Sequence, residues 1–154
     1  MLKNRQSLEL KKFTISDFEL GKCIGSGKFG DVFICRHKQT QTMYALKKIF
    51  KSTIQEYEMI KQFTQELKIH YLLNHPNIIK LYTHFDDEYH VFLLMEYAEG
   101  GILFKKLKAT EQYTSEILYQ TIKAVEYLHH HHIAHRDIKP ENIVLQFNVL
   151  FLYI

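Results

Sequence analysis

The stretch His135-Arg136-Asp137-Ile138-Lys139-Pro140-Glu141-Asn142 packs a base, a cation and a metal ligand into eight positions. A second string, Ile24-Gly25-Ser26-Gly27-Lys28-Phe29-Gly30-Asp31-Val32, has the spacing G-x-G-x-x-G-x-V. Glycine suits phosphate chemistry because backbone N–H groups must approach phosphate oxygens closely, and a Cβ would obstruct them. Between the two lies Met43-Tyr44-Ala45-Leu46-Lys47-Lys48-Ile49-Phe50, which offers two adjacent ammonium groups. By themselves these lysines read first as a solvated pair on a strand, and only the glycine string upstream favours a phosphate role.

Apolar, strand-like stretches flank the glycine string, Phe18 to Ile24 and Val32 to Cys35, so a two-strand arch is expected. The distinction matters because G-x-G-x-x-G also marks Rossmann dinucleotide sites, which require a helix directly after the glycines. No helical pattern follows until after residue 50. In the strand from Met43, alternation sets Ala45 and Lys47 on one face and Leu46 and Lys48 on the other. A single helix is expected from about Gln55 to Leu73, its start marked by capping-box spacings of Ser52 with Gln55 and Thr53 with Glu56. Met59, Ile60, Phe63, Leu67 and Tyr71 recur on it as an inward face requires. Glu66 stands at the margin of that face, where a carboxylate is costly to desolvate unless a cation meets it. Pro76 closes the helix. Two strands are expected next, Ile78 to Phe85 and Tyr89 to Glu96, joined by Asp86-Asp87-Glu88. From Thr114 to His129, apolar residues at Ile117, Leu118, Ile122, Ala124, Val125, Tyr127 and Leu128 wrap more than one face of a further helix. His129 to His132 end it. Consecutive helical positions scatter side chains around the axis, and no Cys or carboxylate cluster accompanies them, so a metal site is not expected there.

Taken together, these strings resemble the protein kinases over nearly the whole chain, and most closely the Aurora kinases. Asp17-Phe18-Glu19, Gly27-Lys28-Phe29-Gly30, Ala45-Leu46-Lys47 followed by Phe50-Lys51, and Glu96-Tyr97-Ala98 carry the Aurora likeness. The resemblance implies an α+β, bilobal kinase-like fold. Its parts would be an N-terminal tail (1–12), a complete β-rich N-lobe (13–95), a hinge (96–101) and a partial helical C-lobe (102–154). ATP and Mg2+ are the implied cofactors, with protein Ser/Thr hydroxyls as acceptors. Asp137 would accept the substrate hydroxyl proton, Asn142 would hold magnesium, and Lys139 marks Ser/Thr acceptors. Lys47 would reach the α- and β-phosphates and pair with Glu66. Ile24, Gly25, Ser26, Gly27, Lys28, Gly30 and Val32 would cover the nucleotide. Ala45, the gatekeeper Met95, and Glu96, Tyr97 and Ala98 would hold the adenine, with Glu141 completing the site. A cell-division role, a spindle-associated activator, and a cytoplasmic, nuclear or spindle location also follow from the likeness.

Composition sets outer bounds. The 154 residues are 46% hydrophobic and 24% charged with a net charge of +3, which suits an ordinary globular chain. No stripe of Lys or Arg interleaved with aromatics supports nucleic-acid binding. The charged first ten residues cannot form a secretory apolar segment, and the C-terminal apolar run is too short and interrupted to cross a membrane. Cys23 and Cys35 both fall in expected strands and read as reduced core thiols. Two departures from the Aurora pattern stand out. The linker from Leu107 to Thr114 is shorter. After Asn142 the chain runs through an expected short hairpin to Phe151-Leu152-Tyr153-Ile154, where a kinase continues to D-F-G. The resemblance therefore implies that the chain as written transfers phosphate poorly or not at all, the alternative reading being a non-catalytic ATP-binding or dominant-negative fragment. It also implies a bare apolar surface on the Thr114–His129 helix that binds hydrophobic dyes.

Overall fold

A computed structural model describes residues 13–27, 29–56, 58–103, 110–146 and 149–152. Lys28, the tail to Lys12, the start of the linker at Leu107, and the hairpin residues Phe147 and Asn148 lie outside the described residues.

Strands β1 (Phe18–Gly27), β2 (Gly30–His37) and β3 (Met43–Phe50) form an antiparallel meander, joined to β4 (Leu81–Asp86) and β5 (His90–Met95) in the order β1-β2-β3-β5-β4. A strand directly follows Gly30, so the glycine string makes an arch and excludes the helix that a dinucleotide fold needs. Alternation along β3 divides its side chains between two apolar layers. Ala45 and Ile49 join Leu93 and Met95 on the face that receives helix α2 (Ile60–Leu72). Leu46, fully buried, joins Phe18, Cys35, Phe85 and Phe92 on the other. Aromatic stacking extends this second layer, with Phe18, Phe85 and Phe92 centroids 5.6 and 5.2 Å apart in succession.

The expected single helix is two. Helix α1 (Lys51–Glu56) stops, and α2 begins at Ile60. The break is a Schellman motif: Glu58, at φ 52°, donates its N–H to Gln55 O at 3.0 Å, and Met59 N–H reaches Ile54 O at 3.0 Å. Ser52 and Thr53 thus sit inside α1 instead of capping a longer helix. A left-handed cap normally announces itself through Gly or Asn, and Glu58 hid it. The inward face shifts accordingly. Phe63 and Leu67 pack on the core and His70 is 5% exposed, whereas Ile60 is 55% exposed and Tyr71 39%.

The third layer is C-terminal. Helix α3 (Glu111–His130) starts at Thr110, whose Oγ1 accepts from Tyr113 N–H at 3.2 Å. It packs on a small sheet of β6 (Gly101–Ile102), β7 (Ile143–Gln146) and β8 (Val149–Leu152). Ala124 and Leu128 of α3 meet Leu145, Leu150 and Leu152, all at most 4% exposed. Alternation again splits the strands, since Val144 and Phe151 face the N-terminal core while Leu150 and Leu152 face α3.

The expected strand from Ile78 is shortened to a start at Leu81, because Ile78 and Ile79 pair with β8 instead. Ile78 bridges Leu152 in parallel, and Ile79 N–H donates to Leu152 O at 3.0 Å. Asn77 reinforces this junction: its Nδ2 donates to Leu150 O at 3.0 Å and to Gln120 Oε1 at 2.9 Å. The segment following α2 is therefore stitched to the C-terminal sheet. Cys35 is a core thiol as expected, but Cys23 is exposed. Among the described residues no helix is long and apolar enough to cross a membrane.

Candidate functional site

A cleft of about 590 Å³ opens between the β1–β2 arch and the C-terminal sheet. Such a volume suits a drug-sized or nucleotide-sized ligand. The arch roofs it with Ile24, Gly25, Ser26, Gly27, Gly30 and Val32. Two glycines here differ in kind from the third. A Cβ on Gly25 or Gly27 would meet no protein atom nearer than 3.9 or 4.0 Å, so packing does not demand glycine there. Their missing side chains instead leave room in the cleft, with backbone N–H groups able to close on an anion. Gly30 is demanded by the fold: at φ 145°, its Cβ would lie 2.0 Å from Lys48 O. Across the arch, Ser26 Oγ donates to Asp31 Oδ1 at 2.5 Å, cross-linking the paired positions of β1 and β2.

The back wall comes from the sheet. Ala45 and Met95 are paired across β3 and β5 and are 7% and 2% exposed. Glu96, Tyr97 and Ala98 continue the wall into the segment that leads to the second sheet. That segment is anchored at its start: Glu96 N–H donates to Lys80 O at 2.9 Å, and its carboxylate accepts from Lys80 N–H at 3.3 Å. It is pressed down at its end, where a Cβ on Gly100 would lie 2.1 Å from Leu145 O.

Lys47 lines this cleft and also a second cavity of about 170 Å³ beneath α2, which Glu66 lines as well. The Glu66 carboxylate accepts from Gln62 Nε2 at 2.9 Å. On the floor, Lys139, Glu141 and Asn142 face the cleft. Asp137 stands at its edge, tied to both neighbours. Lys139 Nζ meets Asp137 Oδ2 at 2.8 Å, and Asn142 Nδ2 donates to Asp137 O and Oδ2, each at 2.8 Å. Both of those oxygens only accept, so Asn142 must turn its amide nitrogen towards them, which makes Oδ1 the atom able to ligate a cation. The ammonium of Lys139, then the Asn142 amide, hold the Asp137 carboxyl below the usual carboxylate range. Asp137 N–H donates to His135 Nδ1 at 3.1 Å, and the intervening Arg136 is left-handed at φ 64°. The turn geometry thus presents Asp137 outward.

Three residues of this cleft escaped the sequence reading, Ile79, Ile102 and Val144, while Gly101 ends the segment expected as the hinge. Val144 had a signal, because it is the second residue of the strand that directly follows Asn142. Ile79 had none, since its place depends on pairing with β8.

The family model for the protein kinase domain matches residues 18–151. The chain belongs to the protein kinase family. Within it, the chain is similar to an Aurora kinase of Saccharomyces cerevisiae, 44% identical over 149 residues, covering 94% of this chain and 41% of that protein. It is similar also to Aurora kinase C of Mus musculus, 42% identical over 142 residues, covering 90% of this chain and 51% of the relative. An Aurora kinase of Dictyostelium discoideum is 41% identical over 144 residues, covering 91% and 38%. The chain therefore spans about two fifths to one half of the length of these relatives. Kinase membership accounts for the alternation of β-rich and helical layers, and for the position of the cleft between them.

Proposed function

We propose that this chain binds ATP and magnesium in the 590 Å³ cleft and presents Asp137 to the Ser or Thr hydroxyl of a protein, as a kinase of the Aurora type with a role in cell division. The supporting observation is convergence: Lys47 of β3 and Asn142 of the 135–142 loop, remote in sequence, line one cavity beneath the glycine arch. The residues fit the implied cofactors, with an oxygen donor at Asn142, a cation at Lys47 and vacant Cβ space at Gly25 and Gly27. When bound, ATP supplies the transferable phosphoryl group and magnesium offsets its charge. Lys47 holds the phosphate end, with Glu66 below it as the group that positions its ammonium. Met95 and the 96–98 segment receive the base. Asp137 is ionised at neutral pH, so it accepts the acceptor hydroxyl's hydrogen bond, aims its oxygen and takes its proton. Lys139 adds positive charge beside the line of transfer.

A second reading, a nucleotide-binding module without turnover, draws support from β8. Leu150, Phe151 and Leu152 commit that strand to packing, and the strand offers no acidic ligand for the metal ions that phosphoryl transfer uses. Titration with a fluorescent ATP analogue, with and without magnesium, tests the shared claim. Saturable, magnesium-dependent binding is expected, weakened about 10- to 100-fold by Lys47→Ala, the range set by loss of one charge-assisted contact. No saturation, or no effect of Lys47→Ala, refutes the assignment. Transfer to Ser/Thr peptides selects the first reading, and binding without transfer selects the second.

A further inference from the structure

Three polar side chains are buried among the described residues: His37, His70 and Thr121. Thr121 Oγ1 donates to Ile117 O within its own helix, and His37 Nδ1 sits in its own turn against Thr40. His70 reaches out of its element. One turn beyond Glu66 on α2, its Nε2–H donates to Ile79 O at 2.7 Å. A carbonyl only accepts, so Nε2 carries a proton, and a second proton has to enter at Nδ1.

The ring also lines the 170 Å³ cavity, where the charged groups facing it are Lys47 from β3 and Glu66 from α2 itself. The other packed elements bring uncharged side chains: Leu93 from β5, Ile54 from α1 and Phe29 from the glycine arch. Burial pushes the imidazole below its ordinary value of 6.5, the hydrogen bond to Ile79 O opposes that shift, and the Lys47 ammonium adds to it.

We propose that His70 is a proton-sensitive positioning residue for the nucleotide site. Neutral, it ties α2, and with it Glu66, to the strand side of the cleft. When a solvent proton adds to Nδ1, the imidazolium opposes the Lys47 ammonium and competes for the Glu66 carboxylate, so α2 is released from Lys47. The inference rests on reading the cleft as a nucleotide site. Its pH window follows from the sign of the shift. The folded value lies below 6.5, so the stability contributed by the neutral ring is fully present above that pH and is lost as pH falls below 6.5 towards the folded value, while the Nε2–H bond to Ile79 O is kept in either form.

The test titrates the full 154-residue chain with magnesium and a fluorescent ATP analogue from pH 7.5 to 5.0, beside His70→Gln and His70→Leu. Glutamine keeps an N–H donor for Ile79 O but does not titrate, so the ratio of wild type to His70→Gln cancels the titration of the phosphates and of other groups. At pH 7.5, His70→Gln is expected to bind within about twofold of wild type and His70→Leu at least about fivefold more weakly, the loss expected for one buried hydrogen bond. On acidification the wild type should weaken at least about threefold more than His70→Gln, against a ceiling of about tenfold per pH unit for one proton. Superimposable pH profiles for wild type and His70→Gln overturn the inference while leaving the nucleotide reading intact. Failure of the wild type to bind at pH 7.5 overturns the nucleotide reading, and the inference with it. Should His70→Leu not fold, the comparison of wild type with His70→Gln still decides.

Discussion

Asp137 illustrates how little covalent change a reactive site needs. An exposed carboxylate is turned into a directed acceptor by three backbone and side-chain contacts within its own loop: the Lys139 ammonium, the Asn142 amide and the His135 ring. The two thiols of the chain show the opposite use of surroundings. Burial pushes Cys35 up to about 12, which leaves it almost wholly as the unreactive thiol at neutral pH. Cys23 is exposed in β1 beside the arch, its Sγ directed to Gly25 O at 3.2 Å. Iodoacetamide at pH 8 should therefore modify one thiol in the native chain and two in denaturant, as counted by intact mass. Modification of Cys35 in the native chain would contradict the packing of the Phe18–Phe92 layer.

At the scale of elements, the junction between α1 and α2 is the informative case. Glu58 takes a left-handed conformation that costs a residue with a Cβ roughly 1–2 kcal/mol, of which glycine returns about 0.5–1 kcal/mol as chain entropy. Glu58→Gly is thus expected to stabilise the chain by about 0.5–1 kcal/mol in urea melts with an unchanged m-value. A destabilised variant would mean that the Glu58 side chain makes a contact that outweighs its backbone strain. The same junction shows the limit of periodicity. Three- and four-residue spacing correctly marked Phe63 and Leu67 as inward and ran through the break, and it also counted Ile60 and Tyr71 at the flank of that face, which stand 55% and 39% exposed. Hydrophobic spacing reports the period of a helix and not where the helix is interrupted.

For the molecule as a whole, the outer face of α3 is the exposed liability. Leu118, Tyr119 and Ile122 are each more than half exposed, and Ile138 from the 135–142 loop is 48% exposed beside them. Tyr119, Ile122 and Ile138 border an open groove, with Leu118 exposed on the same helix, the kind of apolar patch that recruits hydrophobic dyes and promotes association. Strong ANS fluorescence is expected, with most of it removed by Leu118→Lys together with Ile122→Ser. That double variant should keep the wild-type melting temperature, since neither side chain is buried. A dye-negative wild type would contradict the exposed face. The other face of α3 carries the stability: Leu128→Ala, at a fully buried position, should cost about 2–5 kcal/mol.

What the amino-acid order determined alone is what short strings can encode. The glycine arch, the Ala45-x-Lys47 strand, the hinge and the 135–142 loop are each contiguous, and each carries its own geometric demand. Strands on both sides of the glycines announced the arch because two-residue alternation is local. Only the tertiary structure decided how separate segments meet. Ile79 enters the cleft because it pairs with Leu152, and His70 becomes the buried imidazole because the face of α2 that it shares with Phe63 and Leu67 closes on the sheet. Lys47 comes to face two cavities at once because α2 and the C-terminal sheet close on the same face of β3. Such contacts join residues far apart along the chain, and their free energy depends on all the intervening packing, which no local pattern records.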